Sequence, residues 1–225
     1  MDKISKKNKK MKTIFKFKKL LKKYNLDAYI IPKNDEFFGE YAFPNRLRTV
    51  SNFSGSAGFS IITRKKNYLF VDGRYLIQGK MESGKNFKII EIPFKYPKDI
   101  LDYKKIRNIG FDPKLFTRST LEKYFEFKFN LISINENFVD LIFTVKTRNK
   151  GLFYNLDHKI VGETISSKIS RIYNILNKNN ADSIFVSAPE NVAWLLNIRG
   201  GDNPNSPMPN ARIIMDKNNK IYFFS

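Results

Sequence analysis

Residues 45–80 read NRLRTVSNFSGSAGFSIITRKKNYLFVDGRYLIQGK, and this stretch decides the fold. Two β-rich segments, Phe59 to Thr63 and Tyr68 to Val71, are joined by a polar turn, which predicts a β-hairpin. The second segment leads directly into Asp72-Gly73-Arg74-Tyr75. Glycine permits a sharp change of backbone direction at this strand end, where an acid and a base flank it. Because loops at strand ends present functional side chains on a rigid scaffold, this motif is a candidate functional position.

The composition is that of a folded protein with one large or two small domains. The chain has 225 residues, of which 42% are hydrophobic and 15% aromatic, enough for a packed core. It contains no cysteine, which excludes disulfides and thiolate metal sites. The single histidine, His158, argues against histidine-rich metal sites and against a catalytic triad. These features fit a cytoplasmic protein.

Membrane and nucleic-acid partners are both expected to be absent. No apolar run approaches the roughly 18 residues that a membrane span requires, and residues 3–23 lack the apolar region of a signal peptide. Ile14, Phe17 and Leu21 recur at helical spacing, which favours an amphipathic first helix packed on a sheet over a membrane-surface helix. The net charge of +20 comes mostly from lysines scattered through every segment, without a nucleic-acid-binding signature.

The first part of the chain alternates short strands and helices. After the first helix we expect a strand at 27–32, short helices within 36–50, and a helix from 74 to 83 ended by Gly84. Strands are further predicted at 87–92, 108–111 and 130–134, and helices at 97–103, 118–125 and 137–143. This alternation predicts an α/β layered domain that ends near Lys150.

A second copy of the same pattern follows. Residues 20–31 align without gaps on residues 175–186, and 50–55 have a counterpart in 195–200. A second hairpin is predicted at 211–215 and 221–224, so the pieces recur in a fixed order. We therefore expect two related α/β domains, residues 1–150 and 151–225. The second copy reaches Ser225 where the first reaches Val71 and Asp72, which predicts an incomplete second domain with a sheet short of neighbours.

Several motifs, in this order, resemble the Xaa-Pro aminopeptidase (aminopeptidase P) family. The resemblance covers nearly the whole chain, and the motifs are specific together where each alone is weak. It implies two creatinase/prolidase N-terminal-like domains, each a mixed sheet with flanking helices, the second truncated. The motifs are Asp27-Ala28-Tyr29-Ile30-Ile31-Pro32, Glu40-Tyr41, Phe53-Ser54-Gly55-Ser56-Ala57-Gly58, Asp72-Gly73-Arg74-Tyr75, Trp194-Leu195-Leu196-Asn197-Ile198-Arg199-Gly200-Gly201-Asp202 and Pro204-Asn205-Ser206-Pro207.

The resemblance also implies a reaction. In this family a C-terminal "pita-bread" domain, absent here, holds two divalent metals, usually manganese, with two Asp, two Glu and one His, and metal-bound water attacks the peptide bond preceding proline. The resemblance then implies no catalytic residue, metal ligand or cofactor in this chain, which would be inactive alone. The N-terminal domains would serve dimerisation and form part of the substrate cleft. The implied partners are a peptide with proline at its second position and a second copy of the enzyme.

Arg74 is the one candidate site residue. By its place in Asp-Gly-Arg-Tyr it matches a family arginine that contacts substrate, and its planar fork of donors suits a peptide carbonyl or carboxylate. The structural alternative is a salt bridge to Asp72 or a nearby acid that caps the strand end. Phe70 stands where the family often has tryptophan, so its aromatic contribution to the cleft would differ.

Three other patterns have simpler structural explanations. Ser54-Gly55-Ser56-Ala57-Gly58 lacks the glycine that a nucleophile elbow needs before its serine, and a tight turn explains it. Trp194 lies at helical spacing with apolar neighbours and is expected in the core. The segment from Arg199 to Asp202 is expected to form a turn with an internal ion pair, with a role at a domain boundary as the alternative. Two functions therefore remain, the N-terminal region of an Xaa-Pro aminopeptidase and a stand-alone dimerising or binding module without peptidase activity.

Overall fold

A computed structural model describes residues 2–39, 41–144, 151–203 and 205–225. The chain divides into two compact units, one formed by Met1–Glu36 with Ala42–Lys146 and the other by Phe37–Tyr41 with Thr147–Ser225. The motif residues Glu40 and Pro204 and the predicted boundary at Lys150 lie outside the described residues. Within those residues, no helix has the length and apolar character needed to cross a membrane.

The first unit is an α/β layer structure, as predicted. Its helices are α1 (Asp2–Lys23), α2 (Arg46–Ser51), α3 (Leu76–Ser83), α4 (Pro97–Ile100), α5 (Arg118–Phe125) and α6 (Phe138–Ile142). Its strands are β1 (Ala28–Pro32), β2 (Phe59–Thr63), β3 (Asn67–Asp72), β4 (Lys88–Ile92), β5 (Asn108–Phe111) and β6 (Asn130–Ser133). Nearly every predicted element is present within two or three residues of its expected bounds.

The six strands form one mixed sheet in the order β4-β3-β2-β1-β5-β6. β2 pairs antiparallel with both β1 and β3, which confirms the predicted hairpin, and the remaining pairs are parallel. Every strand except β2 therefore runs in the same direction. As a result, five carboxyl ends, including that of β3 with Asp72, lie along one edge of the sheet.

Both faces of this sheet are covered. On one face, α1, α2 and α6 pack over Tyr29, Ile31 and Val71, with Phe138 stacked on Tyr29 at a ring distance of 4.3 Å. On the other face, residues of α4 and α5 pack over Ile30 and Phe70. The strands are therefore apolar on both sides, which explains the nearly continuous apolar runs in their sequences.

The second unit is smaller and contains two sheets. Its helices are α7 (His158–Val161), α8 (Ile165–Lys178) and α9 (Pro189–Leu195), and its strands are β7 (Phe153–Asn155), β8 (Ser183–Val186), β9 (Ile198–Gly200), β10 (Arg212–Asp216) and β11 (Ile221–Phe224). A three-stranded antiparallel sheet has the order β11-β10-β8, and β7 pairs with β9. Its core lies between one face of the larger sheet and helices α8 and α9.

The units share a three-stranded motif, which confirms the internal repeat. β1, β2 and β3 in the first unit and β8, β10 and β11 in the second pair in the same order and the same sense. Their registers agree with the gapless alignment of residues 20–31 on 175–186. Two equivalent rows of cross-strand neighbours are Ile30, Ile61 and Tyr68 in the first unit and Phe185, Ile214 and Tyr222 in the second.

Polar contacts of the motif recur as well. The amide of Arg64 donates to the carbonyl oxygen of Asp27 (3.3 Å), and the amide of Lys217 donates to that of Asp182 (2.8 Å). The same pairs form ion pairs between side chains, at 3.6 Å for Arg64 and Asp27 and 2.6 Å for Lys217 and Asp182. In both units, one backbone hydrogen bond and one ion pair therefore hold the hairpin turn to the aspartate that directly precedes the first strand of the motif.

Three sequence-based expectations need correction. Among the described residues from 36 to 50, one helix begins, α2 at Arg46, because those that precede it form turns and bends around Pro44. Trp194 is not a core residue: it is 50% exposed, and its ring lies against the Lys168 ammonium, 4.5 Å from the ring centroid. The expected ion pair of Arg199 with Asp202 is wrong as well.

Backbone groups satisfy both of these charged side chains instead. The Arg199 guanidinium donates to the carbonyl oxygens of Ala193 and Ile198. The buried Asp202 carboxylate accepts the amides of Gly151 (2.8 Å) and Asn210 (2.7 Å). Asp202 therefore fixes the loop that follows β9 to the start of the second unit. The sequence did not indicate this role, because it suggested only a pairing with the opposite charge of Arg199.

Candidate functional site

The predicted site residue Arg74 lies just beyond the carboxyl end of β3. Asp72 caps the short helical turn Gly73–Tyr75 by accepting the Arg74 amide (3.0 Å). The Arg74 guanidinium then folds back and donates from Nε to Oδ1 of Asp72 (3.1 Å) and from Nη2 to Oδ2 (2.8 Å). The salt bridge that the sequence offered as the structural alternative is therefore present.

This ion pair nevertheless leaves most of the arginine accessible to solvent. The Arg74 side chain is 75% exposed, whereas that of Asp72 is 26% exposed. The hydrogen bond from Arg74 lowers the pKa of Asp72 below its ordinary value, so Asp72 remains a carboxylate throughout the neutral range. An exposed ion pair of this kind contributes little to stability and can exchange one carboxylate for another. The arrangement orients the guanidinium without burying it.

Tyr75 connects the motif to the glycine-rich turn that precedes β2. Its hydroxyl lies 2.9 Å from Oγ of Ser56, and its ring makes an edge contact with Phe53 at 5.6 Å. The Arg74 guanidinium carbon lies 5.4 Å from the centroid of the Tyr75 ring. Tyr75 therefore joins two of the sequence motifs, Phe53–Gly58 and Asp72–Tyr75, into one surface at the sheet edge.

A second set of hydrogen bonds holds the same turn from helix α3. Ser54 donates its amide and its hydroxyl to the two carboxylate oxygens of Glu82 (2.7 and 2.6 Å), and Gln78 donates to Ser54 Oγ (2.8 Å). Burial disfavours ionisation of Glu82, but the hydrogen bonds from Ser54 and Gln78 outweigh this effect and lower its pKa. Both serines of the Ser54–Gly58 turn therefore have structural partners, which agrees with the rejection of a nucleophile elbow.

Sequence reasoning missed the residues that build this network. Tyr75 and Ser56 lie in quoted motifs, but nothing in the sequence pairs them with each other, nor Gln78 and Glu82 with Ser54, because these contacts join segments up to 28 residues apart. One available signal was the spacing of Gln78 and Glu82, which places both on one face of α3 directly after the Asp-Gly-Arg-Tyr motif. We use the term Arg74 edge for Asp72, Arg74, Tyr75, Ser56 and the Ser54–Glu82 contact.

The other acids at this end of the sheet support the backbone. Asp35, which follows β1, accepts the amide of Phe43 (3.1 Å). Asp112, which follows β5, is buried and accepts the amide of Lys114 (3.0 Å) and the side-chain amide of Asn137 (2.9 Å). In the part of the chain that the structure describes, no three His, Asp or Glu side chains come together as a possible metal site.

Phe70 is fully buried and lies in the core. Its ring stacks on Phe59 at 4.6 Å, within the cluster beneath α5. Gly58 makes the turn before β2 possible here, because its φ is +147° and a Cβ would lie 2.7 Å from the Phe70 carbonyl oxygen. We expected Phe70 to alter the aromatic lining of the substrate cleft. Its position does not support this expectation, because its side chain points into the core of the first unit.

Two family models match the chain along nearly its whole length. Both are described as the Creatinase/Prolidase N-terminal domain, one matching residues 14–140 and the other residues 145–225. The match at 14–140 contains the Arg74 edge and the complete six-stranded sheet. The second match begins close to where the second unit begins.

Individual relatives are Xaa-Pro aminopeptidases. A probable Xaa-Pro aminopeptidase P from Laccaria bicolor is 32% identical over 221 residues, covering 92% of this chain and 34% of the relative. Xaa-Pro aminopeptidase 1 from Dictyostelium discoideum is 31% identical over 226 residues, covering 91% and 36%. This chain therefore spans about a third of the length of these curated relatives.

A solved structure agrees with both the fold and the family. The X-prolyl aminopeptidase from Caenorhabditis elegans, described as a cytosolic enzyme with a di-nuclear active site, superposes with a TM-score of 0.79 at 28% identity. The similarity covers 88% of this chain and 34% of that enzyme. The chain thus belongs to the creatinase/prolidase N-terminal domain family, and its similarity to Xaa-Pro aminopeptidases extends through both matched regions.

Proposed function

We propose that this chain is the N-terminal, non-catalytic region of an Xaa-Pro aminopeptidase, a metallopeptidase that releases the residue preceding proline at the N-terminus of a peptide. The single observation that carries the proposal is coverage: 92% of the chain matches one third of a probable Xaa-Pro aminopeptidase P. The match extends through both units, so it concerns their combination and not only a common sheet.

We further propose that residues 1–150 and 151–225 form the two domains and that catalysis takes place in a domain outside this chain. The described residues offer no cluster of metal-ligating side chains, so we assign no step of hydrolysis to them. Two divalent metals in the catalytic domain, manganese in this proposal, would polarise the scissile carbonyl and activate water. The di-nuclear site reported for the Caenorhabditis elegans relative supports two metals.

In the whole enzyme, Arg74 would contact the substrate from the edge of the first sheet. Its guanidinium is exposed and held in one orientation by Asp72. A guanidinium held in this way can donate two parallel hydrogen bonds to a carboxylate, or one to a peptide carbonyl. Tyr75 and Ser56 would form the adjacent wall. A dimer of the whole enzyme in the cytoplasm completes the proposal, and the cytosolic relative supports that location.

The Arg74 assignment is tested in the complete enzyme with Arg74→Met. We expect kcat/KM for an Xaa-Pro peptide to fall about 10- to 100-fold, the usual loss for a charged hydrogen bond. Arg118→Met is the matched control, because Arg118 is also exposed and paired with a carboxylate, that of Glu122. Equal effects of the two substitutions would contradict the substrate role of Arg74.

The overall assignment is tested by detecting the native gene product with an antibody to this region. A band far above 26.4 kDa is expected for a whole aminopeptidase, whereas a band at 26.4 kDa would support the stand-alone module instead. The purified 225-residue chain, supplied with Mn²⁺ and an Xaa-Pro peptide, should release no N-terminal residue. Hydrolysis by this chain alone would contradict both functions.

A further inference from the structure

Positive charge is concentrated at one edge of the sheet in the first unit. At this edge β1, β3, β5 and β6 begin and the antiparallel β2 ends. We use the term basic edge for the segments next to these strand ends, which are residues 22–27, 64–66, 102–107 and 126–128. They contain nine basic residues and three acids. The basic residues are far apart in the sequence, so the fold brings them together.

The segments at the opposite ends of the same strands do not share this excess. They contain three basic residues and five acids, in residues 33–36, 54–58, 72–75, 112–117 and 134–137. The charge is therefore distributed unevenly between the two edges, although lysine is common throughout the sequence.

Hydrogen bonds join the basic edge into one surface. The Asp27 carboxylate accepts the amide of Arg107 (3.0 Å) and forms an ion pair with Arg64 (3.6 Å). The amide of Asn130, two residues after the last segment, donates to the Arg107 carbonyl oxygen (2.8 Å). The end of α1, the hairpin turn and the starts of β5 and β6 are therefore neighbours. Five strands at the usual spacing give this edge a length of roughly 20 Å.

The acids of the basic edge compensate only part of its charge. Asp27, Asp102 and Glu126 form ion pairs with Arg64, Lys105 and Lys128. The other six basic residues are exposed and have no ion pair among the described residues: Lys22, Lys23, Lys65, Lys66, Lys104 and Arg107. A row of exposed cations without internal counter-ions creates a field that attracts anionic ligands.

Local structural preference explains only part of this row. Lys22 and Lys23 lie in the last turn of α1, where a cation stabilises the carboxyl end of the helix dipole. The other four cations lie in turns or loops outside the helices. They therefore need another explanation.

The second unit shows that a lysine-rich composition does not suffice either. Residues 22–27 and 63–66 contain five basic residues and one acid, whereas the equivalent residues 177–182 and 216–220 contain three and two. At the hairpin turn, Thr63 accepts the amide of Lys66 (2.8 Å), and Asp216 accepts the amide of Lys220 (3.1 Å). A neutral hydroxyl in the first unit thus replaces the carboxylate that partly neutralises the second turn.

Two exposed aromatic rings indicate which kind of anion fits the basic edge. Tyr103 and Phe127 lie in its segments and are 55% and 77% exposed. Neither ring stacks on another ring or on a cation within the described residues. Proteins that bind single-stranded nucleic acid combine cations, which follow the phosphates, with aromatic rings, on which the bases stack. An acidic polypeptide would use the cations but has no bases to stack on the rings.

We propose that the basic edge binds single-stranded nucleic acid without sequence preference. A strand with the phosphate spacing of B-DNA carries about six phosphates over this length, which matches the six unpaired cations. Binding of this kind needs no recognition helix, and lysines scattered along the sequence are gathered in space. Arg74 follows the opposite end of β3, roughly 20 Å away for a strand of six residues. The inference therefore does not rest on the proposed peptidase function.

Binding is tested with a fluorescein-labelled oligouridylate of about 15 nucleotides, within the range of single-strand binding sites. Fluorescence anisotropy of this probe is measured while the purified 225-residue chain is added. We expect saturable binding that weakens about 100-fold between about 50 and 200 mM KCl, as the release of counterions from roughly five phosphates predicts. Salt-independent binding would contradict contact with phosphates.

A pair of double substitutions tests whether the cations of the basic edge bind the probe. Lys65→Glu with Lys66→Glu should weaken binding about 10- to 100-fold at low salt, because phosphate contacts are lost and like charges are introduced. Lys178→Glu with Lys220→Glu is the matched control. These two exposed lysines lie at the equivalent edge of the second unit, and the net charge changes by the same amount. We expect the control to change the affinity less than about threefold.

A single substitution tests the aromatic contribution. Tyr103→Ala should weaken binding about tenfold, the usual loss for one stacked base. Tyr154→Ala, which removes a 52% exposed ring of the second unit, should leave the affinity unchanged. All four side chains substituted at the basic edge or in its control by charge reversal are exposed, and unchanged urea unfolding midpoints would verify that every variant folds.

The remaining outcomes overturn the proposal. Equal effects of the two double substitutions, or full affinity in Tyr103→Ala, would each contradict it. Tighter binding of polyglutamate than of the oligonucleotide would identify an acidic polypeptide as the ligand. Binding only to vesicles that contain phosphatidylserine would identify a membrane surface instead. None of these measurements includes metal or an Xaa-Pro peptide, so failure here is distinguishable from failure of the proposed enzymatic function.

Discussion

The two units contain the same three-stranded motif, yet only one of them buries both of its faces. Tyr68 in the first unit and Tyr222 in the second occupy equivalent positions, but they are 9% and 47% exposed. The local sequences are similarly apolar and adopt the same strands in the same register. What differs is whether strands and helices from elsewhere in the chain reach the second face. Burial at these positions is therefore a property of tertiary neighbours and not of the motif itself.

The asparagines that end the helices of the motif behave differently, because their conformation is the same in both units. Asn52 and Asn197 end their helices in the left-handed conformation, with φ of 68° and 51°, and Asn25 and Asn180 do the same, with φ of 52° and 50°. Asparagine tolerates this conformation better than most residues because its short side chain hydrogen-bonds locally. These features recur in both units because they depend only on residues close in sequence.

The largest effect that would test this comparison is expected for a substitution at a buried strand position of the first unit. Phe70→Ala should destabilise the first unit by about 3–5 kcal/mol, because it leaves a cavity in a closed core. Phe224→Ala, at the equivalent position, should cost less than about 1 kcal/mol because the ring is already half exposed. Urea unfolding followed by hydrogen exchange measures both, with β3 and β11 amides reporting on the separate units. Similar costs would show that the side chain of Phe224 is covered in solution.

A smaller difference is expected between the two helix-ending asparagines. Asn197 also accepts from the buried Lys168 ammonium (2.6 Å) and donates to the Glu163 carbonyl oxygen (2.9 Å), whereas Asn52 is exposed. Asn197→Ala should therefore cost about 2–4 kcal/mol, combining backbone strain with a lost charged hydrogen bond, against about 1–2 kcal/mol for Asn52→Ala. Trp194 is the single tryptophan, so its fluorescence during urea unfolding reports on the second unit alone.

Glycine substitutions separate the two contributions at these positions. Asn52→Gly should restore most of the stability that Asn52→Ala loses, because glycine adopts positive φ without a Cβ clash. Asn197→Gly should remain destabilised, since glycine cannot replace the contacts to Lys168 and Glu163. Full recovery with Asn197→Gly would mean that the Lys168 hydrogen bond contributes nothing to stability.

The pH dependence of the Asp72–Arg74 pair is a weaker test. Arg74 lowers the pKa of Asp72, so the folded state binds this proton less readily than the unfolded state. The stabilisation is complete above the pKa of Asp72 in the unfolded chain, about 4. It is lost as the pH falls through the lower pKa that Asp72 has in the folded chain. It should amount to less than about 1 kcal/mol because the pair is exposed. NMR titration of Asp72 should show its pKa rise in Arg74→Met, because the side-chain hydrogen bond from Arg74 is lost while the backbone amide bond remains.

The smallest effect is expected at the hairpin turn of the second unit. The hydrogen bond from Lys217 lowers the pKa of Asp182, and both side chains are exposed. Lys217→Met should therefore return the pKa of Asp182 to its ordinary value in an NMR titration, without a measurable change in unfolding midpoint at neutral pH. A clear loss of stability at neutral pH would show that this turn contributes more than its exposure suggests.

Most of the fold and part of the site could be predicted from the sequence. The hairpin of β2 and β3 and the end of α3 at Gly84 depend on neighbouring residues, and each occurs where expected. Arg74 was located by its motif, with the salt bridge to Asp72 as an explicit alternative. Tyr75, Ser56 and Glu82 were missed because their contacts form only when the glycine-rich turn packs against α3.

By itself, the sequence determined the secondary structure, the repeated three-stranded motif and the family, because these depend on periodicity, turn residues and motifs that are local along the chain. Only the tertiary structure decided that Trp194 is half exposed, that Asp202 accepts two backbone amides and that one face of the second sheet is open. The physical reason is that burial and hydrogen-bond partners are set by residues distant in sequence, whose positions follow from the packing of whole elements.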